Sequence, residues 1–369
     1  MTLSLRRPRP AAGTARARRR PDRLRLVGWL LGTVVAVVTL LLPLVLSRSQ
    51  LTVYVLTGTS AMVTIGVSLL MGYAGQVSLG QAAFYAIGGY TAGLLAVHGW
   101  PSLVGLIAAP IVSGLIAALV GMPILRLRGH YLAFATLAFQ LILLAVIGQI
   151  SFFGGDIGLQ GIPQLSLGGF VLETGQSYAW LTWVATALVL IVTRNIIASR
   201  PGRGLRALAT SETAAESSGV PVTRYKITVF ALSAAFAGLA GGVYAYFIGY
   251  LAPGSFPVLL SFQFIVMAVV GGLGTLWGPV VGAVAIQLLV QWLNDLGSRP
   301  GLPSYAPSVF SYAVYAILLV VVLLFLPRGL LPTLTDGVRR MFRGGHGGGG
   351  PIETAVTVEP VPPHGEPSV

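Results

Sequence analysis

Few residues of this chain could do chemistry, and their placement says more than their types. Gln76, Ser78 and Gln81 put three hydrogen-bonding side chains into an otherwise apolar stretch, beside Gly72 and Gly75. A second glycine cluster, Gly271, Gly272 and Gly274, interrupts a later apolar run. Ser78 and Gln81 are three apart, which predicts that they share one helix face, with Gln76 just ahead of the first turn. No acidic residue lies between Asp22 and Asp156. A proton relay needs ionisable groups at depth, and His98 and His130 fall only at the ends of apolar runs, so proton coupling is not expected. Lys226, the sole lysine, has no glycine-rich loop before it, so no phosphate-binding loop of the Gly-x-x-x-x-Gly-Lys-Ser/Thr type is present. There is no cysteine, no HExxH pair and no nucleophile–base arrangement. Catalysis in this chain is not expected; polar groups lining a path are.

Such groups need a membrane around them, and the composition supplies it. Of 369 residues 9% are charged and 55% apolar, where soluble domains carry roughly 25% charge, and the mean hydropathy is +0.83. A soluble enzyme is excluded. A bilayer core about 30 Å thick needs roughly 20 apolar helical residues to cross. Such runs are Val27–Leu46, Leu51–Met71, Val77–His98, Ser102–Leu125, Tyr131–Ile150, Tyr178–Ile197, Lys226–Tyr250, Leu276–Leu296 and Tyr305–Leu326, with the shorter Val258–Val270 before Leu276–Leu296. Counting the short run gives ten crossings. With the N-terminus inside, every basic residue except Arg48 and Arg299 then falls on the inner side, as the positive-inside rule requires. The fold class expected is an all-α polytopic transmembrane bundle of about ten spans, with both termini cytoplasmic. A basic tail (1–25) precedes the membrane domain (26–331), and a Gly/Pro-rich tail (332–369) follows it. The net charge of +13 is assigned to lipid headgroups and the cytoplasm, not to nucleic acid.

Glycines inside membrane-embedded helix free backbone groups, which are tolerated only within protein or beside a water-filled cavity. Broken helices of this kind line transport pathways. Each glycine cluster follows an apolar segment and precedes a small-residue helix, Gly88–Gly93 in one case and Gly278–Gly282 in the other. This reads as a weak internal duplication around one path.

Four stretches resemble the membrane permease subunits of branched-chain amino-acid ABC importers. They are GYAGQVSLGQAAFYAIGGYTAG (Gly72–Gly93), LRGHYLAFATLAF (Leu127–Phe139), GRGLRALATSETAAESSGVPVTRYKITVFALSAAFAGLAGGVYA (Gly202–Ala245) and VVGGLGTLWGPVVGA (Val269–Ala283). The resemblance implies a heteromeric importer containing this subunit, a second related permease, two ATPase subunits and an external binding protein. ATP and Mg²⁺ would be bound by the ATPases, and no cofactor by this chain. Urea permeases share the motifs, so the same machine carrying urea or a small amide is the alternative. A passive channel or sodium-coupled carrier is the reading outside that class.

The resemblance also implies that the inner loop 199–225 docks a short helix on the ATPase. Gly202–Gly219 reads as that segment, with Arg203 and Arg206 ahead of Glu212 and Glu216. Ala207, Ala214 and Ala215 would form its small-residue face, and Gly219 its C-terminal stop. The family commonly has charged residues where this chain has Ala209 and Thr210. The outer loop 151–177, with Asp156 and Glu173, is the expected surface for the binding protein.

Overall fold

The computed structural model describes residues 39–297 except 128, 168 and 169, together with Ala313 and Ile317. Most of the expected spans Val27–Leu46 and Tyr305–Leu326, and both tails, lie outside the described residues.

Among the described residues, ten complete α-helices follow one another: α1 (Arg48–Ser68, continued by a π-helical turn over Leu69–Tyr73), α2 (Gln81–Val97), α3 (Ser102–Ile124), α4 (His130–Gln149) and α5 (Gly175–Ala198). Then come α6 (Arg200–Thr210), α7 (Glu212–Ser217), α8 (Val222–Ile248), α9 (Val258–Gly271) and α10 (Gly278–Gly297). Among the described residues, seven helical segments are long and apolar enough to cross a membrane: α1 with its π-turn, α3, α4, α5, α8, α9 with the turn before it, and α10. The protein is a polytopic helical bundle.

Apolar composition makes these segments helical, because a backbone in lipid must satisfy its own hydrogen bonds. Local signals set the ends. The Ser47 N–H donates to Gln50 Oε1 at 3.0 Å to open α1, and Thr174 Oγ1 accepts the Ser177 N–H at 3.3 Å to open α5.

The outer helices show exposed apolar rows, Ile107, Ile111, Leu115 and Leu119 on α3 and Val184, Leu188 and Ile191 on α5. By contrast α1, α2 and α8 are largely enclosed. Lipid offers no hydrophobic drive between helices, so close approach of small residues must hold them. Gly88 on α2 lies directly against Gly238 on α8, and Gly241 on α8 against the Tyr85 carbonyl. A methyl at Gly88 or Gly241 would force the two central helices apart, and one at Gly238 would run into Ser113 on α3.

At one end of the bundle the 151–174 loop is folded down. Leu159 and Leu251 exchange backbone hydrogen bonds at 2.7 and 3.0 Å, and the Ile162 N–H donates to the Gly249 carbonyl at 3.3 Å. The Leu165 N–H donates to the Tyr178 hydroxyl, which itself donates to the Tyr246 carbonyl. Leu159, Ile162, Leu165 and Leu172 are buried beneath a short antiparallel pairing of β1 (Ser166–Leu167) with β2 (Phe170–Val171). The opposite end carries the α6–α7 pair.

The short run at Val258 joins the two ends. Its lead-in leaves the loop end at Leu251, passes the fully buried Phe256 and enters α9 where Gln140 Nε2, in mid-α4, donates to the Phe256 and Pro257 carbonyls at 3.3 and 3.4 Å. The 14 residues of α9 span about 21 Å. The lead-in makes up the remaining depth.

Candidate functional site

The two glycine clusters, far apart in the chain, meet. Gly72 sits against the backbone of Gly274, and the Tyr73 hydroxyl donates to the Gly274 carbonyl at 2.6 Å. Both helix breaks therefore lie together, at the end of the bundle that carries α6 and α7. The likeness between the two halves stops there. Gly88 and Gly89 of α2 pack on α8, whereas Gly278 and Gly282 of α10 pack back on α9 at Gly271 and Met267.

The first break corrects the expected geometry. α2 begins only at Gln81, and Ser78 lies in the non-helical stretch 75–80 and not on a shared helix face with Gln81. Gly75 turns the chain out of the π-turn with a φ of +65°, a region costly for residues bearing a Cβ. Side chains from other helices then take over backbone groups that a continuous helix would have paired. Thr136 Oγ1 on α4 accepts the Leu79 N–H at 2.9 Å, and Ser261 Oγ on α9 accepts the Ala82 N–H at 2.9 Å. Ser261 in turn donates to Gln140 Oε1 at 2.7 Å. The break is thus bolted to both α4 and α9. Thr136, Gln140 and Ser261 were not singled out from the sequence. The available signal was the one that picked out Gln76, a polar side chain amid an apolar run, and Gln140 shows it.

Gln76, Ser78 and Gln81 are all buried, Gln81 completely. The Nε2 and Oε1 atoms of both glutamines have no protein partner among the described residues, nor do the hydroxyls of Ser68 and Ser233. An unmatched amide inside a membrane protein costs several kcal/mol, so these groups suit an interior that receives water or a polar solute.

Beneath the breaks, Gly202–Gly219 forms two helices and not one. Ser211 adopts an extended backbone and caps α7, its Oγ accepting the Ala214 N–H at 3.3 Å. The sequence carried this signal, a Ser followed by Glu212 in the first turn. Gly219, with φ +79°, stops α7 as expected: its N–H donates to Glu216 and that of Val220 to Ala215. Ala215 is buried within this chain, so the expected small-residue face loses it; Ala207 and Ala214 stay exposed, as do Arg203, Arg206 and Glu216. Glu212 is an internal brace, with Lys226 Nζ donating to its Oε1 at 2.6 Å across to α8. A cleft of about 160 Å³ opens beside this pair, lined by Met122, Leu125, Arg126, Glu212, Glu216 and Lys226. On the other side α6 reaches the first break. The Arg206 guanidinium lies 5.9 Å from the Tyr73 ring centroid, and Gly75 packs against Ala209. At the far end Asp156 and Glu173 are both exposed on the folded loop.

The brace makes a direct prediction. With side chains 13% and 29% exposed, a charge-assisted pair of this kind contributes about 1.5–3 kcal/mol. Glu212→Lys or Lys226→Glu alone should speed backbone hydrogen exchange across 211–219, and the double swap should restore protection. Equal exchange in the single and swapped variants would remove the brace.

A family model described as "Branched-chain amino acid transport system / permease component" matches residues 49–323. The chain is 30% identical to LivM of Salmonella typhimurium, a high-affinity branched-chain amino acid transport system permease protein, over 79% of this chain and 72% of that one. The LivM of Escherichia coli is similar at the same identity and coverage. A second permease type, LivH of S. typhimurium, is 25% identical over 75% of this chain and 92% of its own length. No solved structure matches the chain. Glycine breaks held by neighbouring helices, in a bundle that this family's model covers for most of its length, place the chain in the branched-chain amino-acid transport permease family.

Proposed function

We propose that this chain is one permease of an ATP-driven importer and, with a second related permease, forms the path for branched-chain or other small amino acids. It is a non-catalytic subunit; ATP and Mg²⁺ are bound by two separate ATPase subunits. The basic residues orient it in the cell membrane with both termini, α6 and α7 in the cytoplasm. The observation that carries the reading is the stacking of three features at that end: α6 lies on the first break, the first break lies on the second, and unmatched amides line the interior beside them. Gly72, Gly75, Gln76, Ser78, Gln81, Gly271, Gly272 and Gly274 then belong to the path. Arg203, Ala214 and Glu216 face the ATPase, and the cleft beside α7 leaves room for a partner side chain. Asp156 and Glu173 face the solute-binding protein, on a loop that the buried Leu159, Ile162, Leu165 and Leu172 hold in shape.

The absence of cysteine makes the test clean. In the assembled complex, Gln76→Cys, Ser78→Cys and Gln81→Cys should react with a water-soluble thiol reagent at rates that change with ATP. Leucine delivered by the binding protein should protect, and urea should not. Inertness at all three positions with and without ATP would take them out of the path, and protection by urea would reassign the solute.

A further inference from the structure

Tyr73 joins more elements than its position in an apolar helix would suggest. Its hydroxyl donates to the Gly274 carbonyl at 2.6 Å, tying the first helix break to the second. Its ring lies under the Arg206 guanidinium of α6 at 5.9 Å. Arg206 is itself steadied by a 3.4 Å hydrogen bond from its guanidinium to the Ile197 carbonyl at the end of α5. Two backbone contacts run alongside, Gly75 on Ala209 and Gly72 on Gly274. So α6, the π-turn ending α1 and the turn ending α9 form one continuous chain of contacts through a single side chain.

The local geometry suits such a role. A π-turn is an under-wound i→i+5 segment, rare within helices, and such turns sit frequently at functional sites. The one over Leu69–Tyr73 holds Tyr73 as its last residue. A change of register there would move the Tyr73 hydroxyl relative to Gly274 and the ring relative to Arg206 together. Gly274, at φ +74°, is held in a turn that continues directly into α10 through Thr275, whose Oγ1 donates to the Gly272 carbonyl at 2.8 Å and accepts the Gly278 N–H at 3.1 Å. A displacement of α6 would reach both breaks through these contacts.

We infer that Tyr73 is the positioning residue that locks the two helix breaks to α6, so that a movement of α6 opens or closes both together. The inference rests on the importer reading above. It assigns Tyr73 no contact with solute.

The test uses the complete complex in proteoliposomes, containing this chain, the partner permease, both ATPases and the leucine-loaded binding protein, with ATP hydrolysis and leucine uptake measured together. Tyr73→Phe keeps the ring beneath Arg206 and removes only the bond to Gly274. One such hydrogen bond corresponds to a roughly fivefold change in an equilibrium. Solute moved per ATP should therefore fall about fivefold, while complex yield and ATP hydrolysis stay within about twofold of wild type. Arg206→Gln, on the exposed side, should lower the same ratio, and Arg206→Lys should recover part of it by keeping a cation over the ring. A purely structural role would lower complex yield and leave the ratio untouched. A wild-type ratio in both Tyr73→Phe and Arg206→Gln would overturn the inference while the importer reading stands. A wild-type complex with no ATP-dependent uptake would overturn both.

Discussion

Gly72→Ala is expected to cut uptake by the assembled importer sharply. A Cβ at position 72 would run into the Gly274 backbone nitrogen and lie 2.9 Å from the Gly274 Cα. Backbone cannot rotate aside as a side chain can, so one of the two breaks must move. Gly274 is already at φ +74°, and Tyr73, the next residue, is hydrogen-bonded to its carbonyl. Overpacking at a tight contact costs about 1–3 kcal/mol. Here that energy is concentrated on the junction where the two breaks touch, so uptake is expected to fall by roughly fivefold to a hundredfold, by the usual conversion of about 1.4 kcal/mol per factor of ten. Gly254→Ala is the matched control: nothing lies within 4 Å of a Cβ there, and uptake should be unchanged. Uptake rate per assembled complex is the readout. Wild-type uptake in Gly72→Ala would show that contact between the breaks has no part in transport.

The helices were largely legible in the sequence. The run expected at Ser102–Leu125 is the helix Ser102–Ile124, and the one expected at Tyr131–Ile150 is His130–Gln149. Lipid forces this agreement: an apolar stretch of crossing length has almost no alternative to helix. The breaks were legible as positions but not as shapes. Gly72, Gly75 and the polar residues after them announce an interruption, yet whether Ser78 is helical depends on Thr136 and Ser261, which arrive from α4 and α9. No local pattern contains that information. The meeting of Gly72 with Gly274 is likewise a product of how α1 packs against α9, which spacing along the chain does not encode.

The inner loop shows the same division. Gly219 as a stop follows from its backbone alone and could be read directly. Ala215 could not be told from Ala214 by residue type, because exposure of one and burial of the other is set by where α7 rests on the bundle. Glu212 looked like a rim charge for a partner and is instead held by Lys226, the sole lysine of the chain. The outer loop, rich in glycine, gave little sign that its leucines would fold it onto the bundle. Their spacing fits neither a helix nor a regular strand.

On the proposed function this chain transports only as part of an ATP-driven assembly, and reconstitution is the decisive check. The single acidic residue within its spans, Asp295, sits at the end of α10 and not at depth where a proton relay would need it, and its one lysine is committed to Glu212. The purified chain alone in liposomes should accumulate no leucine under a proton or sodium gradient. With the second permease, the ATPases and a leucine-loaded binding protein added, leucine should accumulate on supply of ATP and stop when ATP is withheld. Accumulation of leucine by the isolated chain under a sodium gradient would contradict the account.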